Sequence, residues 1–254
     1  MKNSKMKKMM IASCLGIFIM AACSKDKGID GGSKSNELLL SEVSVGDVVI
    51  QRLEYNDKNL VTKQVIYDNS KITATRIYTY NNNNLPTRIV FDFANADNVV
   101  EEYEYSNGGK PISGTITTGG KLSWTMTFKQ EKNQLIHTNI SPESDVYVNT
   151  YTFDDRGNLL KMDISQNSAG AGVNEWYDYD NKKGVAGSIG DAVFMLFSSP
   201  NNPTKARHSF LNQVVEYDLV YTYNDEGYPT IMNRYNKGTK DLVDITNFKY
   251  VHAN

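Results

Sequence analysis

Cysteine is nearly missing from this chain of 254 residues: there are two, Cys14 and Cys23, and both lie in the first tenth of the sequence. Everything beyond them is free of thiol, so a disulfide, a cysteine nucleophile or a thiolate metal site is excluded there. Histidine is almost as scarce. His137, His208 and His252 stand at no metal-ligand spacing from one another, and without cysteine a zinc site would have to be assembled from carboxylates by the fold. No metal site and no cofactor are expected. A phosphate-binding glycine loop is also absent, because "GGSKSN" lies in a polar linker and "NGGKP" in a turn, and no G-x-S-x-G elbow occurs. Basic residues are in deficit too. The formal net charge is −2, and without Lys2, Lys5, Lys7 and Lys8 the balance is 23 basic to 29 acidic, or −6. That sign argues against nucleic acid and against an electrostatic hold on anionic lipid.

The one long apolar run is "MMIASCLGIFIM", Met9 to Met20, which follows four lysines and is too short to span a bilayer. It reads as a secretory signal over 1–22. The "MAAC" at 20–23 resembles the lipobox of bacterial lipoproteins, which implies lipid attachment at Cys23 and a mature chain beginning there. "IASC" at Cys14 has the same form, but too few apolar residues precede it. A diacylglycerol and an amide-linked chain bury many methylenes at about 0.8 kcal/mol each, enough for lasting attachment. Residues 23–37, rich in Gly, Ser and charge, read as a flexible tether. The expected location is the outer membrane of a Gram-negative bacterium, with the face left open.

From 38 to 254 the chain repeats itself. Counting the second aromatic of each copy gives Tyr55, Tyr80, Tyr105, Phe128, Phe153, Tyr179, Tyr223 and Tyr250, with successive gaps of 25, 25, 23, 25, 26, 44 and 27. A period held that closely is a repeat architecture. The next residue is Asn56, Asn81, Ser106, Asp154, Asp180 or Asn224, each able to bond its own backbone and open a turn. Four residues after the anchor stand Asn59, Asn84, Gly109, Gly157 and Gly227, types that tolerate a left-handed backbone. Six after it stand Pro86, Pro111 and Pro229, where a return strand can start without losing a ladder bond. Flanking residues alternate, as in "EEYEYS", where Tyr103 and Tyr105 share one face and Glu102 and Glu104 the other. The expectation is an all-β chain of up-and-down antiparallel hairpins, about 14 to 16 strands, closed into a barrel or a strongly curled sheet.

"YTYNDEGYPT", "YTFDDRGN" and "YTYNNNNLP" resemble the Tyr-Asp repeats of bacterial surface and toxin-shell proteins. A lipobox followed by such hairpins and by "SSPNNP" at 198–203 is similar to a domain-of-unknown-function family of bacterial lipoproteins with a porin-like fold. The resemblance covers roughly 40 to 250 and implies a barrel, with no activity attached.

The long gap holds an irregular insert, 185–215, in which Asp191 could cap a short helix through Leu196. It is expected to plug one end of the barrel, burying Val193, Phe194, Leu196 and Phe197, or else to dock a protein partner. Carboxylate pairs such as Glu101–Glu102 and Asp154–Asp155 could suggest a glycosidase, but turn and strand positions account for them, so the chain is not expected to be an enzyme. Trp124 is expected in the core and Trp176 on the exposed side. Trp176, Phe194 and Phe197 are the candidates for contact with an apolar or glycan-like ligand. The two functional expectations are a binding lipoprotein and an accessory subunit of an outer-membrane assembly.

Overall fold

The computed structural model describes residues 37–185, 199–210 and 213–254. Among the described residues sixteen strands follow one another in four quarters of the wall. β1 is Leu38–Val45, β2 Val48–Tyr55, β3 Val61–Asp68 and β4 Lys71–Tyr80. β5 is Pro86–Phe93, β6 Val99–Tyr105, β7 Pro111–Thr118 and β8 Lys121–Glu131. β9 is Gln134–Ile140, β10 Val146–Phe153, β11 Leu159–Gln166 and β12 Ala169–Tyr179. β13 is Pro203–Phe210, β14 Gln213–Tyr223, β15 Pro229–Asn236 and β16 Leu242–His252. Each pairs antiparallel with its neighbours in sequence, and β1 pairs with β16, so the sheet closes on itself and leaves no edge.

The eight anchor aromatics all lie at or near the ends of the even strands, at one end of the barrel. The turn chemistry there follows the repeat columns. In the first copy Asn56 N–H donates to the Leu60 carbonyl at 3.0 Å and Asn59 N–H to the Asn56 carbonyl at 2.9 Å. The Asn56 side chain accepts from the backbone of both Lys58 and Leu60 at 3.0 Å. Asn59, Asn84, Gly109, Gly157 and Gly227 all have φ between 60° and 89°, which is why Asn and Gly recur in that column. The proline opens the return strand, and the residue after it is the extra one of a β-bulge: Tyr80 pairs with Pro86 while Thr79 pairs with Arg88. Thr87, Thr204 and Thr230 turn their hydroxyls back to a carbonyl of the preceding strand. The recurrent Pro-Thr is therefore a strand opener and a bulge filler. At the opposite end several turns are two residues long, and Asn69–Ser70, Gly119–Gly120 and Asn167–Ser168 have two consecutive positive φ values, as twisted two-residue hairpins require.

The irregular region is shorter than 185–215. Residues 203–210 and 213–215 are barrel wall, because the added residues all fall inside one anchor-end turn. Asp180 N–H donates to the Asn202 carbonyl at 3.0 Å, the same bond that Asn56 makes with Leu60 in an ordinary turn. Pro203 then opens β13, as Pro86 opens β5. The expected helix at 191–196 lies outside the described residues.

Candidate functional site

Tyr residues at the anchors face inward and knit the wall across the lumen side. Tyr55 O–H donates to the Leu40 carbonyl at 2.6 Å, Tyr80 to Val61 at 2.7 Å, Tyr105 to Pro86 at 2.6 Å and Tyr250 to Pro229 at 2.7 Å. Tyr179 makes the matching bond to Leu159. The accepting carbonyls all lie at or near the start of an odd strand, so five anchor hydroxyls each tie an even strand to the odd strand before it at this end. Apolar residues pack beside it: Leu40, Val43, Val61, Ile89 and Leu159 are almost fully buried. Phe128 and Phe153 lack a hydroxyl and instead pack around Leu135, Tyr151 and Met162.

The flanks of the insert lie across the same end. Val185 packs on the Leu40–Phe248 cluster. Ser199 Oγ accepts from the Leu159 backbone at 2.9 Å and lies 3.2 Å from the Tyr179 hydroxyl. Asn202, 2% exposed, accepts from the Val185 N–H at 3.0 Å and donates to the Lys183 carbonyl at 2.9 Å. Tyr223 donates to Asp180 in the same network.

Toward the other end the inward face becomes wetter and more polar. Phe210 and Val215 face in from β13 and β14, yet are 37% and 45% exposed, so this end of the lumen is open. Between mouth and floor lie three polar patches. In the first, Gln64 accepts from Arg76 and from Tyr78 at 3.1 Å, the Arg76 guanidinium sits 4.6 Å from the centre of the Phe91 ring, and Tyr103 donates to Glu101 at 2.5 Å. Burial raises the pKa of Glu101, with the Tyr103 hydroxyl and the Arg76 charge opposing. In the second, His137 stacks on Phe128 at 4.5 Å, and burial pushes it down to about 4. In the third, running from β12 to β16, lie Asn174, Trp176, His208, Tyr217, Arg234 and Asp244.

The outer face carries ladders of opposite charge. Arg52 and Lys249 flank Glu42 at 2.9 and 2.7 Å, across the seam where first and last strands meet. Hydrogen bonds from Lys249 and then Arg52 hold the Glu42 carboxyl below its ordinary range, against a burial effect that raises it. Glu54 pairs with Lys63 at 2.9 Å, Arg88 lies 3.7 Å from Glu102, and Arg207 pairs with Glu175 at 2.5 Å. Exposed aliphatics, Ile77, Ile112 and Val220 among them, are interspersed on the same face.

The expected site residues fare differently. Trp176 does not point outward: it pairs with Ala206 on the lumen side and meets His208 edge-on, while Tyr177 takes the outer face. Asp178, with a left-handed backbone at φ 55°, breaks the alternation before Tyr179 without shifting the register to β13, so counting back by twos from the anchor misplaces Trp176. Trp124 faces inward as expected, edge-on to Tyr147 at 5.2 Å. Phe194, Phe197 and Cys23 lie outside the described residues. Glu101 and Glu102 do not converge, since one faces the lumen and the other Arg88 outside. Asp154 is spent on its turn. The inward charges were missed, although their signal is in the sequence: Arg76 and Glu101 each stand four residues before an anchor tyrosine, on its face.

Solved structures share this fold, among them two porin-like proteins. A porin-like protein from Bacteroides uniformis superposes with a TM-score of 0.53 at 15% identity, over 85% of this chain and 96% of that one. A porin-like protein from Bacteroides vulgatus gives 0.52 at 14%, over 85% and 99%. The fold is porin-like. No protein-family model matches the sequence, and no curated protein does. At this identity the likeness concerns the path of the porin-like wall alone.

Proposed function

We propose that this porin-like barrel is a lipid-anchored protein of the Gram-negative outer membrane and a non-enzymatic binding module, whose lumen receives an apolar or glycan-like ligand. The observation that carries the reading is the polarity of the wall. Aromatic and aliphatic side chains line the inside at the anchor end, and Arg52, Lys63, Arg88, Arg207 and Lys249 stand outside in ion-pair ladders. On a lipid-facing wall each Lys or Arg near mid-bilayer would cost about 2–4 kcal/mol. A barrel with this exterior stands in water and needs another attachment, which the "MAAC" at 20–23 supplies. The chain enters the wall at the anchor end, where Leu38 N–H meets the Tyr228 hydroxyl at 3.2 Å. Lipid therefore lies on the floor side, and the mouth opens away from it. The opposed faces of Glu101 and Glu102 support a binding role over carboxylate catalysis.

The Cys23→Ser chain is expected to purify without detergent and to show a reproducible adduct in native mass spectra. A detergent requirement together with a bare mass would overturn the reading. A second role, as accessory subunit docking a protein through 185–215, is favoured by one observation: the insert's flanks sit on the floor, on the side from which the tether leaves. Affinity capture from intact membranes, with and without deletion of 186–198, tests it. A partner lost on deletion supports docking, and recovery of the protein alone counts against it.

A further inference from the structure

The inward face of β12 to β16 carries a continuous row of side chains that takes no part in the ring of tyrosine bonds. Trp176 meets His208 edge-on at 6.0 Å and 76°, and His208 lies 6.0 Å from Tyr217. The Arg234 guanidinium covers the Tyr217 ring at 4.8 Å and is ion-paired with Asp244. Asn174 Oδ1, 2.8 Å from His208 Nδ1, fixes the imidazole. Within this row two enclosed atoms have no partner, Arg234 Nε and Asp244 Oδ1. They are one donor and one acceptor, on side chains that pair across adjacent strands. Both side chains are partly accessible, at 34% and 19%.

The charge of the row excludes several occupants. Arg234 and Asp244 cancel, and burial, aided by the Arg234 charge, lowers the pKa of His208 and keeps it neutral. An anion would find its arginine already neutralised, and a cation its aspartate. A hydrocarbon would leave both free atoms unsatisfied, at about 1–3 kcal/mol each. A neutral molecule with adjacent hydroxyls satisfies both, one oxygen accepting from Arg234 and the next donating to Asp244. The rings of Trp176 and Tyr217 offer flat apolar surface for the C–H face of the same molecule.

We propose that this row is a subsite for a neutral saccharide ring with vicinal hydroxyls, reached through the mouth past Phe210 and Val215. The proposal rests on the barrel being a binding module and narrows its ligand to one class. The test is calorimetric titration of the lipidated full chain in nanodiscs with maltoheptaose and cellohexaose, and with an oligogalacturonate as the anionic counterpart. A neutral oligosaccharide is expected to bind, with the anionic one at least tenfold weaker. Asp244→Asn should weaken binding about tenfold, the loss of one hydrogen bond to a charged group. Trp176→Phe, which keeps an aromatic ring in place, should weaken it several-fold and serves if Asp244→Asn fails to fold. The proposal is overturned if neither neutral sugar binds at millimolar concentration, if the anionic oligomer binds more tightly, or if binding ignores both substitutions. A non-saccharide adduct in native mass spectra would remove this proposal and keep the binding module, whereas no adduct and no titration would remove both.

Discussion

At the scale of single residues, the tyrosine hydroxyls of the anchors do more than fill space. Tyr105 donates to the Pro86 carbonyl inside the wall, and Tyr105→Phe leaves that carbonyl without its partner. The expected loss is about 1 kcal/mol, measured by urea denaturation, with no change in the slope of the transition. Gly114 is a different case. It stands opposite Tyr103 and Met126, and an added Cβ would lie 2.3 Å from the Glu102 carbonyl oxygen and 2.7 Å from Met126 Cε. Backbone on one side cannot yield as a side chain can, so Gly114→Ala is expected to cost about 1–3 kcal/mol. A variant as stable as the parent would mean that β6 and β7 move apart to admit the methyl group.

Among elements, the inward charges make stability depend on pH in two opposed ways. His137 is held neutral by burial, down to about 4 from an ordinary 6.5. Its stability contribution is complete above the ordinary value and is lost as pH falls from 6.5 toward 4, because the unfolded chain takes up the proton first. The loss amounts to about 3 kcal/mol at most. His137→Phe, which keeps the stack on Phe128, should flatten that part of the thermal-midpoint profile between pH 7 and 4.5. Glu101 has its pKa raised, so it favours the fold only when protonated, and that contribution disappears as pH rises through its folded value. Glu101→Gln is therefore expected to raise the midpoint at neutral pH, by about 2–4 °C for each kcal/mol regained. A fall instead would mean that the ionised carboxylate is stabilised by its interior neighbours.

For the whole molecule, the insertion adds to a floor that the anchor tyrosines and the Leu40–Phe248 cluster already build. Ser199 and Asn202 fill polar positions among those tyrosines. Asn202→Ala removes an acceptor for Val185 and donors to Lys183 and Tyr223. It is expected to loosen the insert without opening the wall, seen as faster hydrogen exchange confined to 180–202 and to the neighbouring ends of β11 and β14. Exchange rising evenly around all sixteen strands would show that the floor holds the barrel closed.

The repeat was legible because each column answers a local need: a side chain to open the turn, a residue tolerant of positive φ, a proline to begin the next strand. Those needs are met within about five residues, and alternation then assigns the two faces of each strand. Sequence alone thus determined the all-β class, the antiparallel order, the anchor ring and the turn into which Asp180 leads. It could not determine closure, since pairing of β1 with β16 joins residues some two hundred positions apart through a register that no local pattern records. Nor could it show that Arg234, Asp244, Tyr217, His208 and Trp176 form one row, because that row depends on the stagger of five strands and on the left-handed backbone at Asp178. Local backbone chemistry acts over a few bonds and is written residue by residue, whereas the meeting of distant side chains is set by register summed around the barrel, which only the closed sheet decides.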